Sequence, residues 1–368
     1  MVGADLLTAR QAAERLRIKL DTLYAYVSRG RLQSVSLPGS RERRYRAEDV
    51  EALLATRSKR LADGSGWNLN LLGGDLDPAH VRAAEANLRR YIDAAWKDLT
   101  IIGLSKNASR DRLKFTTDLK KALADADLVQ ENGPERKEFK IKLFADMDAA
   151  TRPDAIIASS SSGLTMSTMQ SACKHPERCV IGHPFNPPHV VPLVEVVAGE
   201  KTSPETVERA ISFYESVGKK PIHVRKEVVG HVANRLQAAL YREVVHLIEQ
   251  GVLDVADSDA AVCWGPGLRW GVMGPNLLFH LAGGPGGIHH FMEHLSGPVA
   301  TWWKDLGTIT EFSPQAKQAI IDGVQKEAAN RSVDELNRER DAMLLELLAT
   351  RAKGEEAAQA AIAGGQGD

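Results

Sequence analysis

Three cysteines in 368 residues, Cys173, Cys179 and Cys263, are too few and too irregularly spaced for a disulfide framework or a zinc site built on paired ligands. A reducing compartment suits them, so a cytoplasmic location is the expectation. The chain also lacks long hydrophobic runs. Its opening, Met1 to Leu16, holds no apolar core of signal-peptide length, and no stretch approaches the roughly 18 apolar residues that span a bilayer. Secretion and membrane insertion are therefore not expected. Compositional bias is missing as well: 43% hydrophobic and 26% charged residues exclude collagen-like and wholly disordered classes.

What is present is length and an uneven charge. A chain of 368 residues exceeds one ordinary core, so two or three domains are expected. The net charge of −1 conceals a basic start: residues 1–60 hold 13 Lys or Arg against 7 Asp or Glu, about +6, which leaves about −7 for the remainder. An anion-seeking segment, such as a nucleic-acid arm, fits that asymmetry, and so does a merely solvated basic face.

Thr8 and Gln11 have capping-box spacing ahead of an apolar face at Ala12, Ala13 and Leu16. A tight turn at 17–19 leads to a second helical pattern from Asp21 to Val27, closed by Gly30. Segments 32–35 and 43–46 can pair as a hairpin, and 47–56 reads as a helix. These residues resemble the winged helix-turn-helix module of MerR-like and excisionase proteins. The resemblance implies a recognition helix from Asp21 and DNA contacts from Arg29, Arg31, Arg43 and Arg44, with Arg41 beside them.

Past a polar junction at 59–66, an amphipathic helix starts at Asp77-Pro78. Short apolar strands then alternate with helices: 113–116, 127–130, 155–159, 180–183 and 193–197 read as strands, and 135–150 as a helix. That alternation predicts βαβ units in a doubly wound, mostly parallel α/β sheet. Strands stop at Val224. From Gly230 the pattern is helical to about Ala352, an all-α domain, and 353–368 reads as a flexible tail. The expected domains are thus 1–62, 63–226 and 227–352.

Three elements fall at or near the carboxyl ends of predicted strands, where open α/β sheets bind ligands: Ser159 to Gly163, His183-Pro184-Phe185-Asn186-Pro187-Pro188, and Leu193-Val194-Glu195. The serine-rich turn, H-x-F-N-P-P and L-V-E resemble the active-site signature of the 3-hydroxyacyl-CoA dehydrogenase family, from about Gly64 to Gly323. That resemblance implies NAD as cofactor, a hydroxy acid as substrate and a dimeric enzyme. It makes His183 the general base, Glu195 its orienting carboxylate, and Ser162 and Asn234 the hydrogen-bonding partners of the substrate oxygen. On the cofactor side it implies Glu135, Lys140, Ser162 and Asn186 around the nicotinamide. Asp77 stands where a ribose-binding acid falls, with Asp75 competing and a plain helix cap equally consistent with Asp77.

The pattern departs from the family upstream. Of its glycine-rich turn only Gly64 and Gly66 stand, with Lys59 and Leu61 in place of the first glycines, and the helix-turn-helix replaces the first strand. A truncated Rossmann fold with a weakened grip on the pyrophosphate follows from that loss. Residues 265–275 and 279–284 resemble carnitine dehydrogenases and their gulonate dehydrogenase relatives. There Arg269 could fork a carboxylate, while Trp264, Trp270 and Phe279 could box a quaternary ammonium or simply fill a core or dimer interface. Three readings stay open: an active dehydrogenase, an inactive dehydrogenase relic serving as the sensor of a DNA-binding regulator, and a gene-level fusion that folds in part.

Overall fold

A computed structural model of the chain describes residues 6–16, 20, 23, 24, 27, 32–36, 42–52, 78–104 and 107–364. Two compact units result, residues 1–96 with 113–117, and residues 97–112 with 118–368.

In the first unit, β1 (Leu6–Thr8) and β2 (Val35–Ser36) flank β3 (Arg43–Arg46), both antiparallel to it. Helix α1 (Ala9–Arg15) starts in the expected capping box, with the Thr8 side chain accepting from the Gln11 amide and the Gln11 side chain returning to Thr8 N–H. Leu7, Ala12, Leu16, Leu23, Leu32, Tyr45 and Val50 form its core. The hairpin is shorter than expected, and β1 is an addition. Asp21, Arg29, Arg31 and Arg41, like Gly64, Gly66, Asp75 and Asp77, lie outside the described residues. Helix α2 (Pro78–Ile102) runs from the expected proline start.

The second unit is built on a five-stranded sheet in the order β4 (Leu128–Glu131), β5 (Ile156–Ser159), β6 (Cys179–Pro184), β7 (Leu193–Ala198), β8 (Lys220–Val224). Helix α3 (Lys137–Ala150) crosses between the parallel pair β4 and β5, and α4 (Pro204–Ser216) between the parallel pair β7 and β8. Strands β6 and β7 are joined by a short loop without a helix, so they run antiparallel. One face of the sheet is sealed by Phe144, Met147, Ile157, Met166, Met169 and Ile181, the other by Val180, Val194, Val196, Val207, Ala210 and Tyr214. Burial on both faces explains why these strands read as continuous apolar runs. The buried Asp148–Arg178 pair, 2.7 Å apart, ties α3 to the start of β6.

Two sequence expectations need correction. Residues 113–116 form no strand, because a strand needs a ladder partner and no described strand pairs with them. Lys220–Val224, not among the strands named from sequence although Val224 was read as the end of the strand region, is an edge strand, β8. Lys220, Ile222 and His223 are exposed on it, and it therefore lacks the apolar density of the inner strands.

Beyond β8 the chain is helical. The longer elements are α5 (Ala233–Glu249), α6 (Val255–Trp264), α7 (Pro314–Ala328) and α8 (Val333–Gly364). The expected flexible tail is helix as far as Gly364. Its alanine-rich sequence favours helix, and Glu355 pairs with Arg351 four residues earlier and with Lys220.

Candidate active site

The site begins with strand register. In the antiparallel β6–β7 pair His183 lies directly opposite Glu195, and such partners have Cβ atoms about 5 Å apart on one face of the sheet. The twelve-residue spacing in the sequence is thus the length of one strand end, its connecting loop and one strand start. His183 Nδ1 and Glu195 Oε2 are 2.8 Å apart, with His183 6% and Glu195 0% exposed. A carboxylate oxygen accepts, so Nδ1 carries the proton and Nε2 keeps its lone pair. Among the described residues Nε2 has no hydrogen-bond partner, which leaves it available as a base.

Glu195 is held from its other side by the opening of α5. The amides of Val232 and Ala233 donate to Oε1 at 2.8 and 2.9 Å. Burial opposes its charge, but those amides and the His183 bond outweigh burial and hold the carboxyl below its ordinary value. It is therefore anionic whenever His183 works near neutral pH. Left-handed backbone at Gly230 and His231 (φ +76° and +49°) turns the chain so that these two amides face the carboxylate.

A second carboxylate network lies at the ends of β4 and β5. Glu131 and Lys140 pair at 2.8 Å with both side chains 1% exposed, and Ser159 Oγ donates to Glu131 at 2.6 Å. Gly133 N–H also donates to Glu131. Lys140 reaches Glu135 at 3.5 Å. Glu135 in turn accepts from Ser161 Oγ at 2.5 Å, Gly163 N at 3.0 Å and Leu164 N at 3.1 Å. Burial works against its charge, yet these donors, with Lys140, keep its carboxyl below the ordinary value.

The expected residues are placed unevenly. His183 and Glu195 are brought together, as are Glu135 and Lys140. Lys140 is enclosed by the carboxylates of Glu131 and Glu135 instead of lining a cleft, because a buried ammonium has to be paired. Ser162 is exposed on the turn that its neighbour Ser161 fastens to Glu135, and Asn186 is exposed just past β6. Asn234, half-buried, sits in the first turn of α5 beside the amides that hold Glu195. Arg269, Trp270 and Phe279 are exposed on the helices Pro266–Trp270 and Pro275–Ala282, and Phe279 stacks on Phe291 at 4.6 Å. Among the described residues no ring contact gathers Trp264, Trp270 and Phe279 into a box. Ser159 and Ser161 entered the sequence reading only as members of the serine-rich turn, and Glu131 and His231 were given no role in it; the four-residue spacing of Glu131 from Glu135 was an available signal, and His231 had none.

Asp98, His189 and Asp341 bring three groups able to ligate a metal within 4.8 Å. His189 Nε2 already bonds Asp98 at 2.9 Å and Arg340 pairs with Asp341 at 2.8 Å, so internal partners account for the cluster.

Residues 61–228 match the family described as 3-hydroxyacyl-CoA dehydrogenase, NAD binding domain, and residues 230–323 its C-terminal domain. An L-carnitine dehydrogenase of Bacillus cereus is 43% identical over 290 residues, covering 77% of this chain and 88% of the relative. The chain belongs to the 3-hydroxyacyl-CoA dehydrogenase family. An L-carnitine dehydrogenase of Streptomyces coelicolor is 45% identical with 77% and 90% covered. Among solved structures, an NAD+-dependent 5-formyl-3-hydroxy-2-methylpyridine 4-carboxylic acid 5-dehydrogenase superposes with a TM-score of 0.60 at 32% identity, covering 74% of this chain and 87% of that one. Residues 6–58 match a helix-turn-helix domain. This member of the dehydrogenase family therefore carries a helix-turn-helix at its N-terminal end, and its cofactor is NAD.

The donor set at the strand ends suits the nicotinamide half of that cofactor. Ser162 and Asn186 offer neutral hydroxyl and amide groups on exposed turns, and Glu135 holds the first of those turns in shape.

The register predicts the effect of Glu195→Gln. The amide oxygen would serve Val232 and Ala233, turning the NH2 group toward His183 and forcing the proton onto Nε2. We expect kcat to fall on the order of 10³ to 10⁴-fold with KM little changed, as for other bases deprived of their carboxylate. Steady-state kinetics retaining more than a tenth of wild-type kcat would contradict the assigned tautomer.

Proposed function

We propose that the chain oxidises the 3-hydroxyl of a small hydroxy acid of the carnitine type, with His183 as the base. The buried His183–Glu195 pair is the observation that carries this reading. NAD, when bound, would supply the acceptor for the hydride that leaves the substrate carbon. His183 Nε2 takes the hydroxyl proton, Glu195 stabilises the resulting imidazolium, and Ser162 and Asn234 hydrogen-bond the substrate oxygen. Glu135, Ser162 and Asn186 hold the nicotinamide end, with Gly64, Gly66 and Asp77 on the pyrophosphate and ribose side. Arg269 takes the substrate carboxylate, and Trp270 and Phe279 lie beside a quaternary ammonium. The working domains are 1–62, 63–226 and 227–352, in the cytoplasm; no described helix is long and apolar enough to cross a membrane.

The helical part exposes unusually large apolar side chains, including Trp264 at 79%, Trp303 at 70% and Leu236 at 68%. Surfaces of this kind mark interfaces, and a second copy of the chain related by a two-fold axis is the occupant we assign. In the first unit, Arg43 on β3 is exposed and Arg44 leans on Glu42 at 3.0 Å. A basic helix-turn-helix segment of this kind supports contact with DNA phosphates.

Each part has its own measurement. Incubation with NAD and L-carnitine should yield NADH, and His183→Asn should abolish it; no turnover with carnitine or related 3-hydroxy acids would overturn the reading. NADH titration should give an affinity on the order of 10² to 10⁴ weaker than for a relative with the full glycine-rich turn, the cost of about two lost charge-assisted hydrogen bonds. Micromolar binding would contradict that. Sedimentation should find a dimer of the 40.1 kDa chain, and a monomer at micromolar concentration would refute the interface. Full-length protein should retard duplex DNA at low salt and release it steeply as salt rises. Retention unchanged by Arg43→Glu with Arg44→Glu would exclude this face.

A further inference from the structure

His231 stands just before α5 and is 2% exposed. Its Nε2 lies 2.8 Å from the carbonyl oxygen of Ser161. That oxygen can only accept, so the Nε2 position carries a proton. Nδ1 is buried and, among the described residues, has no partner. A buried polar atom left unpaired is uncommon in a folded protein and calls for an explanation. The backbone adds a second departure, since His231 is a non-glycine residue in the left-handed region at φ +49°. Such departures concentrate where function overrides local preference.

The surroundings indicate which function. The His231 ring packs against the ring of His183, with centroids 5.2 Å apart and planes tilted by 50°. The next two residues, Val232 and Ala233, give their amides to Glu195. Ser161, whose carbonyl His231 holds, sends its own hydroxyl to Glu135 and precedes Ser162. One side chain thus joins the base, the carboxylate behind the base, and the serine turn that faces cofactor and substrate.

We propose that His231 is a positioning residue that fixes the serine turn against His183, a role that rests on the dehydrogenase reading of the site. The hydrogen bond to Ser161 sets the height of the turn, and the ring contact sets the plane of the base. A partner at Nδ1 would compete with both, and among the described residues there is none. Phenylalanine would fill the same space and keep the ring contact but could not hold Ser161. Glutamine would lose the ring contact but could still donate from its amide to the Ser161 carbonyl.

The test uses the full chain and two readouts. In kinetics with NAD and hydroxy acid, His231→Phe should lower kcat on the order of 10²-fold with KM within about threefold of wild type, the loss expected from roughly 1 Å of misplacement. His231→Gln should recover kcat to within about tenfold of wild type. Equal kcat in the two variants, or a change confined to KM, overturns the proposal. The second readout is independent of turnover: 15N NMR of the wild-type imidazoles should find His231 protonated at Nε2, and His231→Phe should shift the ring nitrogens of His183. A proton on Nδ1 alone, or unmoved His183 signals, overturns it even if the wild type oxidises no hydroxy acid, an outcome that would sink the dehydrogenase reading separately.

Discussion

Everything at the candidate site depends on one buried carboxylate being satisfied from two directions. Glu195 has no exposed surface, and a carboxylate in that position is tolerable only when hydrogen bonds replace its water. Strand β7 brings it opposite His183, and the left-handed turn at Gly230 and His231 delivers two backbone amides to its second oxygen. The sheet and the first helix of the all-α region are thereby joined through the same side chain that fixes the tautomer of the base. Loss of either support would disturb the other.

The second network obeys the same rule with different parts. Lys140 is buried and so cannot contact a ligand, yet it compensates Glu131 at the end of β4 and reaches Glu135 above it. Glu135 then holds the turn after β5 by three donors. The exposed groups on that turn, Ser162 foremost, owe their placement to a buried ion pair beneath them. His231, through the Ser161 carbonyl, ties this network to the first.

How much of this could be read from the sequence varies by element. Strands β5 to β7 were legible because they are buried on both faces and appear as apolar runs bounded by turn residues, while β4, half-buried at the other edge of the described sheet, showed itself by Leu128-Val129 ahead of a turn. Strand β8, at the edge, has no such density and was missed. Residues 113–116 carry a strand-like run, but a run becomes a strand only if a neighbour supplies the ladder. The tail was read as flexible from its Ala, Gly and Gln content, whereas alanine-rich sequence with an internal ion pair extends the helix to Gly364.

The sequence by itself determined the family, the capped first helix and the motifs that bring His183 and Glu195 into register, because these are written in local patterns and fixed spacings. Tertiary structure alone decided that Ser161 anchors the turn while Ser162 faces out, that Lys140 is enclosed, and that His231 lies against His183. Those facts arise from contacts between segments far apart in the chain, such as Ser161 with His231 or Glu195 with Val232. Residue type and spacing constrain neighbours along one element; which side chain of a serine run turns inward depends on what the rest of the fold brings to meet it.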